Sequence, residues 1–283
     1  EVPSVASQLS TVRYTSVCMH PYYPKGWNRD TVYDDLRFEE KYFKDDFSNP
    51  EILRTYISDW TTYQKIISRY EEKSSDERLF VFDVTMQNHG SYVKRYSNFI
   101  PDVSVVGGSG TYLKATEQYL SLIKRSDEAF KQLVEYFEKQ SEPTIIMMFG
   151  DHQPSLGEKS YNELESFYGE EEAKADSQAI RFQSSFVLWA NFDLESASGV
   201  LTSPNYLRAM LLNAAGLELS PYEQFLLEVQ KEYPAMNAFG YYDADWNWHD
   251  RTDENGQDEL LWQYQCMVYQ NVFDKKHMNA ALY

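Results

Sequence analysis

The sequence predicts an α/β fold, a three-layer sandwich built on a mostly parallel sheet. Four short β-like runs punctuate the 283 residues: Tyr14 to Met19, Leu79 to Met86, Thr144 to Phe149 and Ser185 to Ala190. The second and third (LFVFDVTM and TIIMMF) are almost continuously apolar, as strands covered on both faces of a parallel sheet are. Helical segments lie between the runs, and this β, α, β, α, β, α, β order is the signature of helices layered on a sheet.

The helices follow from periodicity and caps. From about Thr111 to Gln140, the residues Leu113, Thr116, Leu120, Ile123, Asp127, Phe130, Val134 and Phe137 recur at steps of three and four. That stripe is apolar except for Asp127, which is expected either to accept hydrogen bonds from a nearby loop or to be solvated where the stripe drifts. A second helix is expected over Pro50 to Lys73, with Asn49 as its cap and Pro50 in its first turn. Leu207 to Ala215, stopped by Gly216, gives a third. Ile100 to Gly110 is a glycine-rich loop that fits neither a P-loop nor a dinucleotide spacing. Pro234 to Glu259 turns acidic, aromatic and aperiodic, and a closing helix follows over Glu259 to Asp274. With no repeat and no linker, residues 1–283 are read as one domain, of which 233–283 form the acidic aromatic loop and closing helix.

Composition narrows the function. Lys and Arg number 26 against 44 Asp and Glu, a formal charge of -18, which repels nucleic acid phosphates. An anionic substrate can bind only where Arg, His, a metal or helix N-termini reverse the local field. Aromatic residues are abundant (23 Tyr, 16 Phe, 6 Trp), and such rings line polar clefts and stack on sugars as well as filling cores. Cys18 and Cys266 read as free buried thiols, without zinc spacing. No apolar run reaches the roughly 18 to 20 residues that span a bilayer. Glu1 opens a mature-looking segment without a signal peptide.

Three of the five histidines directly follow β-runs: His20 in VCMH, His89 in VTMQNH and His152 in MMFGDH. Ligands of open α/β sheets bind at the carboxyl ends of the strands, so three imidazoles delivered there are expected to share a pocket. Asp151-His152 pairs a hard oxygen with a borderline nitrogen, a combination suited to Mn²⁺, Zn²⁺ or Mg²⁺, behind a glycine that allows the backbone to turn. Two ligands are half a site at most. The Trp27-Asn28-Arg29-Asp30 segment supplies a forked cation for phosphate or sulfate and a flat wall for a polyol or sugar. Clustered carboxylates and rings from Tyr241 to Asp250 match no EF-hand loop and are read as a solvated, cross-packed surface loop, with glycan or Ca²⁺ binding the alternative.

Taken in order and spacing, YTSVCMHPYYPKGWNRDTVY, FDVTMQNHGSY and IIMMFGDHQPSL resemble the lipoteichoic acid synthase family of membrane-anchored phosphoglycerol transferases, within the sulfatase and alkaline phosphatase superfamily. The likeness covers nearly the whole chain. It implies that Asp151 and His152 bind a divalent metal, Mn²⁺ or Mg²⁺, and that His20, Trp27, Arg29 and His89 surround a glycerophosphate head group on a lipid or glycan. It also implies a catalytic domain outside the cell membrane, attached through transmembrane helices, and a two-step reaction through a phosphorylated Thr.

One departure stands out. The family's nucleophilic Thr and a further metal-binding Glu precede the strand that bears His20, whereas here only EVPSVASQLSTVR precedes it, and PSVASQL resembles a downstream family helix. No catalytic nucleophile is therefore assigned within the chain. The expectation is the C-terminal part of a catalytic domain, inactive by itself, lacking an N-terminal strand or two. A sulfatase or phosphodiesterase of the same superfamily, or a non-catalytic domain binding anionic cell-wall polymer, are the alternatives.

Overall fold

The computed structural model describes residues 2–107, 110, 113–165, 182–251 and 258–283. It resolves into two compact units: Pro3–Gln140 with Pro154–Glu170, and Ser141–Gln153 with Glu171–Tyr283.

The first unit opens with helix α1 (Val5–Thr11), capped by Ser4, whose hydroxyl accepts from the Ser7 amide at 3.0 Å. Strand β1 (Tyr14–Met19) follows, then helix α2 (Arg29–Asp35) and strand β2 (Glu40–Tyr42). Strands β3 (Ile52–Leu53) and β4 (Tyr56–Ile57) form a hairpin before helix α3 (Asp59–Glu72), and strand β5 (Arg78–Asp83) follows it. Helices α4 (Leu113–Phe137) and α5 (Glu158–Glu165) complete the unit.

The sheet runs β2-β1-β5, all parallel, with Val17 opposite Val81 and Met19 opposite Asp83. Alternation along the strands splits its faces. On one face Val17, Met19, Leu79 and Val81 meet Ile66 of α3 and Ile57. Toward the other, Phe38 stacks on Phe80 and Phe82 at 6.1 and 6.0 Å and touches Tyr33 of α2. Helical segments thus cover both faces of a parallel sheet, as the apolar β-runs require.

Two expectations change here. The helix expected over Pro50 to Lys73 starts only at Asp59. Asn49 and Arg54 lie in the left-handed region (φ 48° and 59°), which breaks a helix, and the β-branched Ile52 and Ile57 pair across the hairpin. Ser58 takes the cap, its hydroxyl accepting from the Thr61 amide at 3.2 Å. In α4 the buried residues are Leu113, Ala115, Thr116, Gln118, Ser121, Leu122, Ala129, Leu133 and Phe137. Leu113, Thr116 and Phe137 of the expected stripe thus lie on the buried face, while Leu120 and Ile123 are exposed and Asp127 is solvated, as the drifting stripe allowed. Polar residues share the buried face because they serve loop backbone: Ser121 Oγ accepts from the amides of Asp102 and Val103, both at 3.0 Å. An apolar stripe alone misplaces such a face.

In the second unit, strands β6 (Ile145–Phe149) and β7 (Phe186–Ala190) form an antiparallel ladder. Helix α6 (Pro204–Ala214) ends at Gly216 (φ 66°), the expected left-handed stop. Helix α7 (Pro221–Glu232) is capped by Ser220, and Glu223 in its first turn is fully buried against Arg208 at 2.5 Å. Tyr206, Ala209, Leu226, Val229, Tyr233 and Leu261 form its core. The segment expected to be an irregular loop is an antiparallel meander of β8 (Ala235–Met236), β9 (Gly240–Tyr242) and β10 (Trp248–Asp250). Its turn is held by Asp243, whose carboxylate accepts from the Asn247 amide at 2.8 Å and pairs with His249 Nε2 at 2.7 Å. Helix α8 (Glu259–Val272) closes the chain's regular structure. Cys18 is buried and Cys266 half-buried, both free. No helix among the described residues is long and apolar enough to cross a membrane.

Candidate functional site

His20 directly follows β1 and is held by the ends of its two neighbouring strands. Its amide donates to Tyr42 O at 2.9 Å, and its Nδ1 lies 2.8 Å from Val84 O. A carbonyl only accepts, so Nδ1 carries the proton and Nε2 presents a lone pair. The side chain is fully buried, and Nε2 has no hydrogen-bond partner. Burial, with smaller contributions from Arg29 and His89, pushes its pKa down to about 4, so the ring is neutral at physiological pH.

The loop between β1 and α2 then places two consecutive residues in the left-handed region, Trp27 (φ 52°) and Asn28 (φ 54°). Neither is glycine, and such backbone strain concentrates where a side chain must be aimed. Trp27 is the side chain aimed. Its ring lies 5.8 Å from that of His20 and 5.5 Å from that of His89, and it is 56% exposed. Arg29 opens α2 and donates to the Tyr33 hydroxyl at 2.9 Å, while its buried Nε has no partner.

His89 sits in the loop after β5, its amide donating to Met86 O at 3.0 Å. Two residues of the β3–β4 hairpin, neither evident from the sequence, hold this loop. Arg54 is 4% exposed, and its guanidinium donates to the carbonyls of Gln87 (2.7 Å), His89 (2.8 Å) and Ser91 (3.1 Å). The Tyr56 hydroxyl lies 3.1 Å from His89 Nδ1. Beneath the loop, Gln87 Nε2 donates to Leu122 O and Ser126 Oγ, and Asn88 donates to Ser126 Oγ at 2.7 Å. Ser126 in turn donates to the buried Asp59 at 2.5 Å. Burial pushes the Asp59 carboxyl up to about 6 and holds Asp83, charge-coupled to it, well above the usual carboxylate range. Nearby, a cleft of about 630 Å³ is lined in part by Trp60, Gln87, Phe99 and Arg125.

The structure therefore brings His20, Trp27, Arg29 and His89 into one cluster in the first unit. Asp151 and His152 belong to the second unit, just past β6. The Asp151 carboxylate accepts from the His152 amide at 2.9 Å. His152 Nδ1 faces Gln153 O at 2.8 Å, which puts the proton there and leaves the Nε2 lone pair 3.5 Å from Asp151 Oδ2. The two donor atoms, 3.5 Å apart, are close enough for one divalent ion to draw on both. Both side chains are largely exposed, 77% and 74%. Among the described residues no three His, Cys, Asp or Glu side chains gather to hold a metal. Gly150 serves close approach rather than a turn: a Cβ there would come within 3.1 Å of Ser184 Cβ, and Ser184 donates to Gly150 O at 2.5 Å.

The chain is similar to a putative cyclic β-1,2-glucan modification protein of Rhizobium meliloti, 26% identical over 247 residues; the match covers 84% of this chain and 37% of that protein. Among solved structures, phosphoglycerol transferase GacH of Streptococcus pyogenes, in complex with sn-glycerol-1-phosphate, superposes with a TM-score of 0.65 at 22% identity, covering 89% of this chain and 59% of that one. The C-terminal periplasmic domain of EptC from Escherichia coli, in complex with Zn, matches with a TM-score of 0.54 at 15% identity, covering 76% and 62%. The chain thus spans about a third of the glucan-modification protein and about three-fifths of the GacH structure. The sulfatase family model matches residues 1–217, well over half of the chain, and the chain belongs to the sulfatase family.

Proposed function

We propose that this chain is part of a phosphoglycerol transferase in which His20, Trp27, Arg29 and His89 receive a glycerophosphate head group. Asp151 and His152 supply half of the site for a divalent ion, Mn²⁺ or Mg²⁺ by the family resemblance. The same resemblance puts the nucleophilic Thr and a further metal-binding Glu ahead of β1, outside this chain, so the chain alone does not turn over substrate. The name of the glucan-modification relative points to a glycan as the group that receives or bears the glycerophosphate, and the family resemblance puts the longer protein at the outer face of a membrane to which it is attached.

The observation that carries this reading is a pair of desolvated, unpartnered polar atoms, His20 Nε2 and Arg29 Nε, beside an exposed Trp27. Buried polar atoms normally find a partner, and orphans facing one cluster indicate that a ligand supplies it. The forked guanidinium of Arg29 suits phosphoryl oxygens. Trp27 offers its face to the glycerol carbons. A divalent ion held by Asp151 and His152 would supply Lewis-acid activation of an oxygen bound to it.

Titrating sn-glycerol-1-phosphate into the chain should shift the His20, His89 and Arg29 side-chain resonances together. A response confined to other residues would refute the head-group assignment. In the full-length protein Asp151→Ala should abolish transfer, and retained turnover would remove Asp151 from the metal site.

A further inference from the structure

The loop after β1 carries more aromatic surface than an anion site uses. Tyr22 and Tyr23 follow His20 with one residue between, their ring centroids 5.1 Å apart, and Tyr22 also lies 5.8 Å from Trp27 and 6.2 Å from Tyr56. Four rings therefore form one continuous surface beside the head-group cluster. Two of them face solvent, Trp27 at 56% and Tyr23 at 52% exposed.

This surface is held in place by specific contacts. A Cβ on Gly26 would come within 2.8 Å of Tyr22 Cδ1, so the loop closes over Tyr22 only because residue 26 has no side chain. The Lys44 amide donates to Tyr22 O at 3.0 Å. The Lys44 ammonium lies 4.4 Å from the centre of the Tyr23 ring and donates to its hydroxyl at 3.0 Å. A large ring fixed by such contacts yet left in water presents apolar area to a ligand at little cost in conformational entropy. The formal charge of -18 disfavours a polyanion, and the ammonium of Lys44 with the Tyr hydroxyls would meet a rim of hydroxyl groups.

We infer that Tyr22 and Tyr23 form a sugar-stacking subsite, which takes a neutral hexopyranose of the glycan beside the head-group cluster, Tyr22 touching both Trp27 and the buried His20. A pyranose has an apolar C–H face and a hydroxyl rim, the complement of these rings and their polar edges. Its role as the acceptor or carrier subsite rests on the head-group reading above, but its affinity for a sugar does not.

The test is saturation-transfer NMR on the 283-residue chain with methyl β-D-glucopyranoside and a β-1,2-linked glucose disaccharide, with sn-glycerol-1-phosphate titrated separately. The expected result is transfer to the ring C–H protons of both sugars at millimolar concentration. Tyr23→Ala should weaken binding about fivefold, roughly 1 kcal/mol, while Tyr23→Phe keeps it within about twofold. Amide spectra of both variants check that they fold. No transfer from either sugar, or unchanged binding by Tyr23→Ala, overturns the subsite. Neutral phosphatidylcholine vesicles binding through Tyr23 where sugars do not would overturn it too, reassigning the surface to lipid. If sugars bind but glycerol phosphate leaves His20 and His89 unmoved, the subsite stands and the head-group reading falls.

Discussion

Replacing Arg54 by Met keeps most of its aliphatic length and removes all three guanidinium bonds to the His89 loop, at 2.7, 2.8 and 3.1 Å. Each hydrogen bond from a charged group contributes about 1.5 to 3 kcal/mol, and a carbonyl left without a donor costs about 1 to 3 kcal/mol where water cannot reach it. The three are not additive here. Gln87 is buried, but His89 and Ser91 are exposed enough for water to replace the lost donors. The buried guanidinium also carries a desolvation cost, seen in its lowered pKa, which its removal gives back. The net expectation is a loss of about 3 kcal/mol, roughly a hundredfold or more, concentrated in the loop. Two compact units make a single global unfolding midpoint a poor probe. Amide hydrogen exchange reads the loop directly, and protection at Gln87 and His89 should fall by about two orders of magnitude in Arg54→Met and less in Arg54→Lys. Glycerol phosphate affinity should fall alongside. Unchanged exchange over residues 86–91 would show that Arg54 does not hold the loop.

Other substitutions probe neighbouring parts of the network. Asp59→Asn should stabilise the first unit at neutral pH. Folding raises the Asp59 pKa to about 6 from about 3.9, so its contribution is present below the lower value and is lost as pH rises through the upper one. The stability difference between variant and parent should therefore grow between about pH 4 and 7, and a flat difference in the amide-exchange stability of α3 in the first unit would remove Asp59 as its source. Arg29→Lys keeps the charge but loses the fork, and should weaken glycerol phosphate binding about tenfold by calorimetry. Equal affinity would mean that Arg29 acts on the phosphoryl group as a point charge only.

Much of the fold was legible because near-continuous apolar runs leave little choice. Tyr14–Met19 appears with its expected bounds, Ile145–Phe149 and Phe186–Ala190 each lose one residue at the start, and Leu79–Met86 becomes Arg78–Asp83. TIIMMF, however, expected in the parallel sheet, pairs antiparallel. What was illegible depended on backbone signs and on polar burial. Nothing in the segment around Arg54 announces a left-handed residue, yet that conformation replaces the start of an expected helix with a hairpin and delivers Arg54 to the His89 loop. The face of α4 was misjudged because Gln118, Ser121 and Ser126 look like solvent-facing residues until the loops they bond are in place. Within the candidate cluster, the strand ends announced His20 and His89 through their position after β-runs. Tyr56 and the Asp59–Ser126 pair carry no such mark, since a Tyr among 23 and an Asp in a helix's first turn are ordinary.

The geometry also changes what His20 can contribute. By the family resemblance both His20 and His89 surround the head group, where each could donate to a phosphoryl oxygen only through a protonated ring nitrogen. The Val84 carbonyl takes the single proton of a neutral His20 ring at Nδ1, and burial keeps the ring neutral down to about pH 4. Nε2 is then an acceptor, and an acceptor aimed at a phosphoryl oxygen would be repelled. It suits the O–H of a polyol instead, a group that donates and that water would otherwise have to match inside a dry pocket. In the proposed site the anion is left to the forked guanidinium of Arg29 and to His89, which is exposed and held at the protein surface by Tyr56 and Arg54. On this division of labour a head group is selected twice over, once for its phosphate and once for its hydroxyl, and a simple phosphate ester lacking the hydroxyl leaves the buried nitrogen unsatisfied. That asymmetry, in which the missing bond costs more than the formed one contributes, favours glycerophosphate over a phosphodiester without any hydroxyl in the cluster.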